Sequence, residues 1–362
     1  MAYAYAADKV FTSGGWVKNA VVIVENNFIE EITPLKNLRL GVRVIEHAPI
    51  LAPAFIDIQI YGAASKLFSV FPEADTLFKM EAHCKKGGTK YFLPTIATNT
   101  PEIIKKGIDA IHEYWKLGGK SIPGLHIEGP WINKIKRGAH IETLIHEPSI
   151  KEVESLLNYG KGAIKMITVA PEVCTQEIID LIKSHDIIIS AGHSNAGYAE
   201  AQNFFNDVHV ATHLFNAMSP LHHREPGLPA AVMLHQDVMA SIVADGYHVD
   251  FNMISLAKKL MGERLFFITD AVTETNDGPY PHLLNGDKYE SNGILSGSCL
   301  TMAKAVKNAV EKCTIDLEEA LRMASLYPAK VLGMNNETGK IEKGFKADFV
   351  LLTENIEVVN CV

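Results

Sequence analysis

Between residues 54 and 271, short apolar runs recur with helix-like segments between most of them. The runs are AFIDIQI, KYFLPTIAT, GLHIEG, IKMITVAPE, IIISAGHS, HVATHLFNA, MASIVADGYHV and RLFFITDA. Several are almost continuously apolar, the pattern of parallel strands covered on both faces. EADTLFKMEAHCKK follows the first run and PEIIKKGIDAIHEYWK the second, and both read as helices. Eight strand-then-helix units predict an α/β chain closed into a (β/α)8 barrel of TIM type.

The two ends of the chain read differently. VVIVENNFIEEI (21–32) and RVIEHAPIL (43–51) suggest short strands with turns. In TGKIEKGFKADFVLL (338–352), glycines 339 and 344 bracket a short strand that precedes an apolar one. The ends are therefore expected to build one small β unit, while TMAKAVKNAVEKC and DLEEALRMAS between them and the barrel read as helices. The expected boundaries are 1–50 with 336–362 for the small domain and 51–335 for the catalytic barrel.

In a barrel of this kind, chemistry gathers where the C-terminal strand ends converge on one mouth. Here those ends carry Gln59, Thr95, His126 with Glu128, Pro171-Glu172, His193, His213, Asp245 with His248, and Asp270. GLHIEGPW (124–131) poses the problem most sharply, because a carboxylate entering a core costs several kcal/mol unless it is paired. A catalytic divalent metal takes three protein ligands, drawn from His nitrogen and carboxylate oxygen, and keeps one position open. Glu128, His193 and His213 supply that set from the third, fifth and sixth strands. Taken singly, each His also reads as a satisfied core or loop residue. Asp270 has no basic neighbour in sequence and is the candidate general base and acid of a metal-assisted hydrolysis, with helix or loop capping as its plainer role.

The bulk numbers narrow the classes. With 362 residues, 47% hydrophobic and 21% charged, the chain can bury a large core. Its formal net charge of −8 and the absence of a Lys/Arg-rich block argue against a nucleic-acid partner. Five scattered cysteines without a CxxC spacing suggest neither a disulfide framework nor a zinc ribbon and fit a reducing cytoplasm. No run reaches the roughly 18 apolar residues of a membrane span, so no membrane partner is expected. Walker and GxGxxG signatures are missing, yet a small phosphorylated substrate needs only an Arg and a few amide donors. HLFNAMSPLHHREPG (213–227) offers Asn216 and Arg224, although a loop Arg can equally be merely solvated.

Taken in order, HIEGPW, KRGAH, GHSNA, THLFNAM, REPGLPAA, DGYH, TDA and LSGSCLTMAKAV resemble the N-acetylglucosamine-6-phosphate deacetylase family of the amidohydrolase superfamily, from about residue 51 to 352. The resemblance implies a (β/α)8 barrel with a small β-sandwich from both termini, in a cytoplasmic homodimer. It implies hydrolysis of N-acetylglucosamine 6-phosphate to glucosamine 6-phosphate and acetate, in amino-sugar catabolism. Carried over by motif, Glu128, His193 and His213 hold the metal and Asp270 is the base and acid. His140 polarises the amide carbonyl or steadies the oxyanion. His248 contacts the sugar, and Asn216, the backbone of Ala217 and Arg224 bind the phosphate, Arg224 reaching into the neighbouring subunit's site.

The wider superfamily ends its first barrel strand in His-x-His, which supports a second metal. Here FIDIQIYG puts Gln59 and Tyr61 at those positions, and neither is a good ligand for a divalent transition metal. One ion per subunit is therefore expected: zinc by its donor set, with iron, cobalt or manganese as alternatives. Two rival readings stay open. One is another amidohydrolase, a cyclic amidase or nucleobase deaminase, against which the missing His-x-His counts. The other is a non-catalytic sugar-phosphate-binding barrel, which has no use for Asp270.

Overall fold

The protein is described from a computed structural model that covers residues 2–291 and 293–362. Along the chain, β1 (Tyr3–Thr12), β2 (Gly15–Glu25), β3 (Phe28–Pro34) and β4 (Arg43–Pro53) come first. The β2–β3 turn places Asn26 and Asn27 in the left-handed region, φ 51° and 66°, which asparagine tolerates better than most residues. β5 (Phe55–Ile60) then opens the barrel, followed by the two-residue strands β6 (Gly62–Ala63) and β7 (Lys66–Leu67).

The barrel continues with β8 (Thr89–Ala97), β9 (Leu125–Glu128), β10 (Ile164–Val169), β11 (Ile188–Ala191), β12 (Val210–Ala211), β13 (Met239–Val243) and β14 (Leu265–Ile268). These seven and β5 form one eight-stranded sheet in sequential order. Beyond the last strand, Asp270 N–H donates to the Gln59 carbonyl at 3.0 Å and Tyr61 N–H to the Ala271 carbonyl at 2.9 Å, bringing the two edges together as in a closed barrel. The eight expected strand runs all contribute, so the (β/α)8 expectation holds.

Between the strands lie α1 (Ala74–Lys86), α2 (Pro101–Lys116), α3 (Ile150–Tyr159), α4 (Gln176–Lys183), α5 (Tyr198–Phe204), α6 (Gly227–Leu234) and α7 (Phe251–Met261). Helix α2 shows why such segments form. Thr100 caps its first turn by accepting from Ile103 N–H, Pro101 fits the first turn, and Ile104, Ile108 and Ile111 bury one face. Such a cap contributes about 1 kcal/mol. After β14 a three-stranded sheet, β15 (Leu283–Asn285), β16 (Lys288–Ser291) and β17 (Ile294–Ser298), precedes α8 (Met302–Lys312).

Helices α9 (Leu317–Ala324) and α10 (Leu326–Leu332) lead to β18 (Phe349–Leu352) and β19 (Val358–Cys361). Strands from both chain ends share a six-stranded sheet in the order β19-β18-β4-β1-β2-β3. Two details depart from expectation. Residues 340–343 form no strand, and Ile341 is buried from a turn region. β1 is an additional strand, and its alternating alanine is a weak strand signal. The sheet supplies the reason for it: Ala4 and Ala6 pack with Val21 and Ile23 on one face, and Tyr5, Ala7 and Val10 join the core on the other.

The chain divides into two compact units. One holds the two ends, through Asp57 and from Thr301, together with Ala82–Tyr91; the other holds Ile58–Glu81 and Phe92–Leu300. Every strand-end candidate from Gln59 to Asp270 belongs to the second unit. Among the described residues no helix is long and apolar enough to cross a membrane.

Candidate metal centre

Period-two alternation in β9 puts His126 and Glu128 on one face, and their surroundings give them different tasks. His126 is fully buried. Its Nδ1 meets the Ile58 carbonyl at 3.0 Å and its Nε2 meets Thr168 Oγ1 at 2.8 Å, within a network that continues to Thr212 and Ser190. Burial pushes its pKa down to about 4, so it is a neutral, satisfied core histidine. Glu128 stands at the barrel mouth.

Glu128, His193 and His213 come together as a buried cluster. Glu128 Oε1 lies 3.2 Å from His213 Nε2 and 3.3 Å from His193 Nε2, and the two ring nitrogens are 3.1 Å apart. A tetrahedral ion with bonds of about 2.0–2.1 Å separates its ligand atoms by about 3.3 Å, so the triangle has the dimensions of three first ligands. The donor chemistry agrees. His193 Nδ1 donates to the Lys136 carbonyl at 2.8 Å, which turns Nε2 toward the cluster as the nitrogen that can bind an ion. Among the described residues, none gives the buried His213 Nδ1 a hydrogen bond.

The backbone is bent to present these groups. His193, His213 and Asp270 all have positive φ, at 49°, 38° and 53°. Each such residue costs about 1–3 kcal/mol and persists only where its surroundings over-determine it. Gly192, just before His193, is needed for close approach, because a Cβ there would lie 2.6 Å from Thr168 Cγ2 and 3.0 Å from Thr212 Cβ. The turn after β12 explains why the HVATHLFNA run yields only two strand residues: His213, Phe215 and Ala217 are all left-handed.

Glu128 is ringed by donors. Tyr61 O–H donates to Oε2 at 2.5 Å, His140 Nε2 lies 3.1 Å from the same oxygen, and Gln59 Nε2 donates to Oε1 at 3.0 Å. Burial opposes its ionisation, but the His193 charge and hydrogen bonds from His140, His193 and His213 hold its pKa well below the carboxylate range. His140 Nδ1 meets Thr98 Oγ1 at 2.7 Å, and burial, with the neighbouring His193 charge, pushes its pKa down to about 4. A neutral His140 can donate from Nε2.

Asp270 sits across the mouth. Burial raises its pKa, against the lowering pull of His248 and His213. Gln59 Nε2 donates to its Oδ1 at 2.9 Å, and His248 Nε2 stands 3.6 Å from Oδ2. The other nitrogen of His248 donates to Asp245 Oδ2 at 2.6 Å, and Asp245 Oδ1 accepts from the N–H groups of Tyr247 and His248. Burial disfavours the Asp245 anion, yet these bonds with His248 lower its pKa overall.

Tyr61, Glu128, His140, His193, His213, His248 and Asp270 line one cavity of about 170 Å³, together with Asn216 and Ala217. Arg224 is exposed and does not line it; among the described residues its walls include no Lys or Arg. Tyr280, His282, Leu295 and Ser296 complete the wall from the segment after β14. Nothing in the sequence singles them out, since a His in a turn-rich stretch carries no periodic signal. His282 Nδ1 meets Ser296 Oγ at 2.9 Å, and burial pushes its pKa down to about 4.

Comparison with known proteins adds an independent line. The amidohydrolase family model matches residues 50–362. The chain is 33% identical to N-acetylglucosamine-6-phosphate deacetylase of Haemophilus influenzae, over all of this chain and 98% of the relative. The crystal structure of N-acetylglucosamine-6-phosphate deacetylase from Pasteurella multocida superposes with a TM-score of 0.93 at 32% identity, covering 99% of this chain and 98% of that one. A mutant of the Mycobacterium smegmatis enzyme in complex with N-acetyl-D-glucosamine-6-phosphate gives a TM-score of 0.90 at 25% identity, covering 100% of this chain and 97% of that one.

Proposed function

Since the chain belongs to the amidohydrolase family, we propose that it hydrolyses the acetamide of N-acetylglucosamine 6-phosphate, releasing acetate and glucosamine 6-phosphate. The observation that carries this reading is the Glu128–His193–His213 triangle facing Asp270 across one cavity, in a chain similar over its full length to enzymes of that activity. A binding module would have no use for that facing carboxylate. Nor would it need the strained backbone that presents it.

Glu128, His193 and His213 would hold one divalent ion per subunit, zinc by the His₂Glu donor set. When bound, the ion supplies Lewis-acid polarisation and makes water nucleophilic near neutral pH. Asp270 takes a proton from the attacking water as the new C–O bond forms at the acetyl carbon. It then delivers that proton to the amide nitrogen as the C–N bond breaks, so that acetate and the amino sugar separate. His140 donates to the carbonyl oxygen, where negative charge develops. His248, held by Asp245, contacts a sugar hydroxyl.

Asn216 and the backbone of Ala217 take the phosphate. Among the described residues the cavity wall has no Lys or Arg, which leaves the dianion in need of a cation and supports assigning that role to Arg224 of a second subunit in a homodimer. Gln59 and Tyr61 fill the second-metal position with hydrogen bonds and supply no ligand in this reading. A cytoplasmic location suits an enzyme of amino-sugar catabolism with free cysteines. The reading is tested by comparing kcat/KM on N-acetylglucosamine 6-phosphate, its galacto epimer and unphosphorylated N-acetylglucosamine. The phosphorylated gluco sugar is expected to be the best of the three, and a preference for the free sugar would refute the phosphate site.

A further inference from the structure

Glu172, just past the end of β10, stands between the strands that deliver Glu128 and His193, and no step above uses it. Its carboxylate is nonetheless fully engaged. Oε1 accepts from Asn195 N–H at 2.7 Å and from Asn133 Nδ2 at 3.0 Å, and Oε2 accepts from Ser194 Oγ at 2.7 Å. Two of these partners directly follow His193. The third, Asn133, belongs to the segment that grips His193 from the other side.

That second grip has two parts. Asn133 N–H donates to the His193 carbonyl at 2.9 Å. Asn133 Oδ1 also accepts from Ile135 N–H at 3.0 Å, capping the single turn Lys134–Lys136, and the carbonyl of Lys136 receives the His193 Nδ1 proton at 2.8 Å. One carboxylate therefore ties together the chain after His193 and the turn that sets its ring tautomer. His193 needs such restraint, because its φ of 49° is unfavourable for a β-carbon-bearing residue.

We propose that Glu172 is the positioning residue of the metal centre, clamping His193 so that its Nε2 is aimed at the ion's place before the ion arrives. This rests on the reading of Glu128, His193 and His213 as the ligands. A carboxylate suits the task because it accepts all three bonds with two oxygens while donating none. Its removal leaves an amide N–H and an Asn side chain without their acceptor, and frees the Lys136 turn to drift from the ring. Groups that orient metal ligands in this way govern affinity by about 10–100-fold.

The test is zinc affinity of the purified, chelator-stripped full-length protein, measured by competition with a chromophoric chelator in the absence of substrate. E172A is expected to loosen zinc by about 10–100-fold and to speed its release, while E172Q, whose single amide oxygen can keep only part of the clamp, falls between E172A and the wild type. At saturating zinc, E172A should recover most of its kcat. A folded E172A with wild-type zinc affinity would overturn the proposal, because a carboxylate that merely tied two loops together would lower the melting temperature and leave affinity alone. Should E172A fail to fold, S194A and N133A carry the test: S194A removes one bond of the clamp and N133A two, each loosens zinc several-fold, and unchanged affinity in both overturns it. A wild-type protein that binds no zinc at all would instead refute the ligand assignment.

Discussion

The Tyr61 hydroxyl donates to Glu128 Oε2 at 2.5 Å, the oxygen that His193 and His213 do not approach. A second metal would need that oxygen and two ligands from the end of β5. Tyr61 and Gln59 occupy the place with hydrogen bonds instead, Gln59 reaching both Glu128 and Asp270. Replacing both by histidine is expected to raise bound metal from about one to about two ions per subunit, counted by elemental analysis. A double variant that stays at one would show that more than these two side chains excludes the second ion.

His140 bears on the chemistry through one nitrogen. Burial holds the ring neutral, and with Nδ1 against Thr98 Oγ1 it is Nε2 that faces the cavity, where it can offer its proton to the carbonyl oxygen. H140Q should lower kcat by about 10²–10³-fold, the usual loss on removing one oxyanion donor, with KM moving far less. Steady-state kinetics at saturating zinc decides. A loss confined to KM would place His140 in substrate binding alone.

Asp270 pairs an activity with a stability cost. Its pKa is raised chiefly by burial, so the native state holds its proton more tightly than the unfolded state does. The resulting destabilisation is fully present above the raised native value and relieved as pH falls toward the ordinary aspartate value of 3.8. D270N, which removes it, should melt at a higher temperature than the wild type in chelator-treated protein at neutral pH. The gap should narrow on acidification, and turnover should fall by about 10²–10⁴-fold. Scanning calorimetry across pH checks the sign, and a lower melting temperature for D270N at neutral pH would contradict it.

Arg224 is exposed on its loop and does not line its own cavity. R224A should therefore depress use of the phosphorylated sugar far more than any residual action on the free sugar. Mixing inactive R224A and D270N subunits should restore part of the activity, because one site of the heterodimer then has both residues. No recovery despite measured subunit exchange would rule out sharing.

The legibility of the sequence followed the geometry of parallel strands. Glu128, His193, His213 and Asp270 were visible because polar residues ending buried apolar runs have few structural reasons to be there, and the barrel brings those ends together. His126 satisfied the same criterion and is a core residue, since the pattern cannot tell an imidazole bonded to Ile58 and Thr168 from one facing the mouth. Glu172 was noticed at its strand end without a role, for its three partners lie 39, 22 and 23 residues away in the chain. Tyr280 and His282 were missed because their place depends on a three-stranded sheet inserted after the last barrel strand. β1 was hidden by its alanines, whose small side chains suit packing against β2 more than any strand propensity would indicate.

In the proposed function, one metal and one carboxylate act together on a phosphorylated acetamido sugar. This is tested most directly by measuring acetate released from N-acetylglucosamine 6-phosphate by the purified protein, with metal counted in the same preparation. Acetate and glucosamine 6-phosphate should appear in equal amounts, in proportion to bound metal up to about one ion per subunit. A metal-loaded protein that releases no acetate would contradict it.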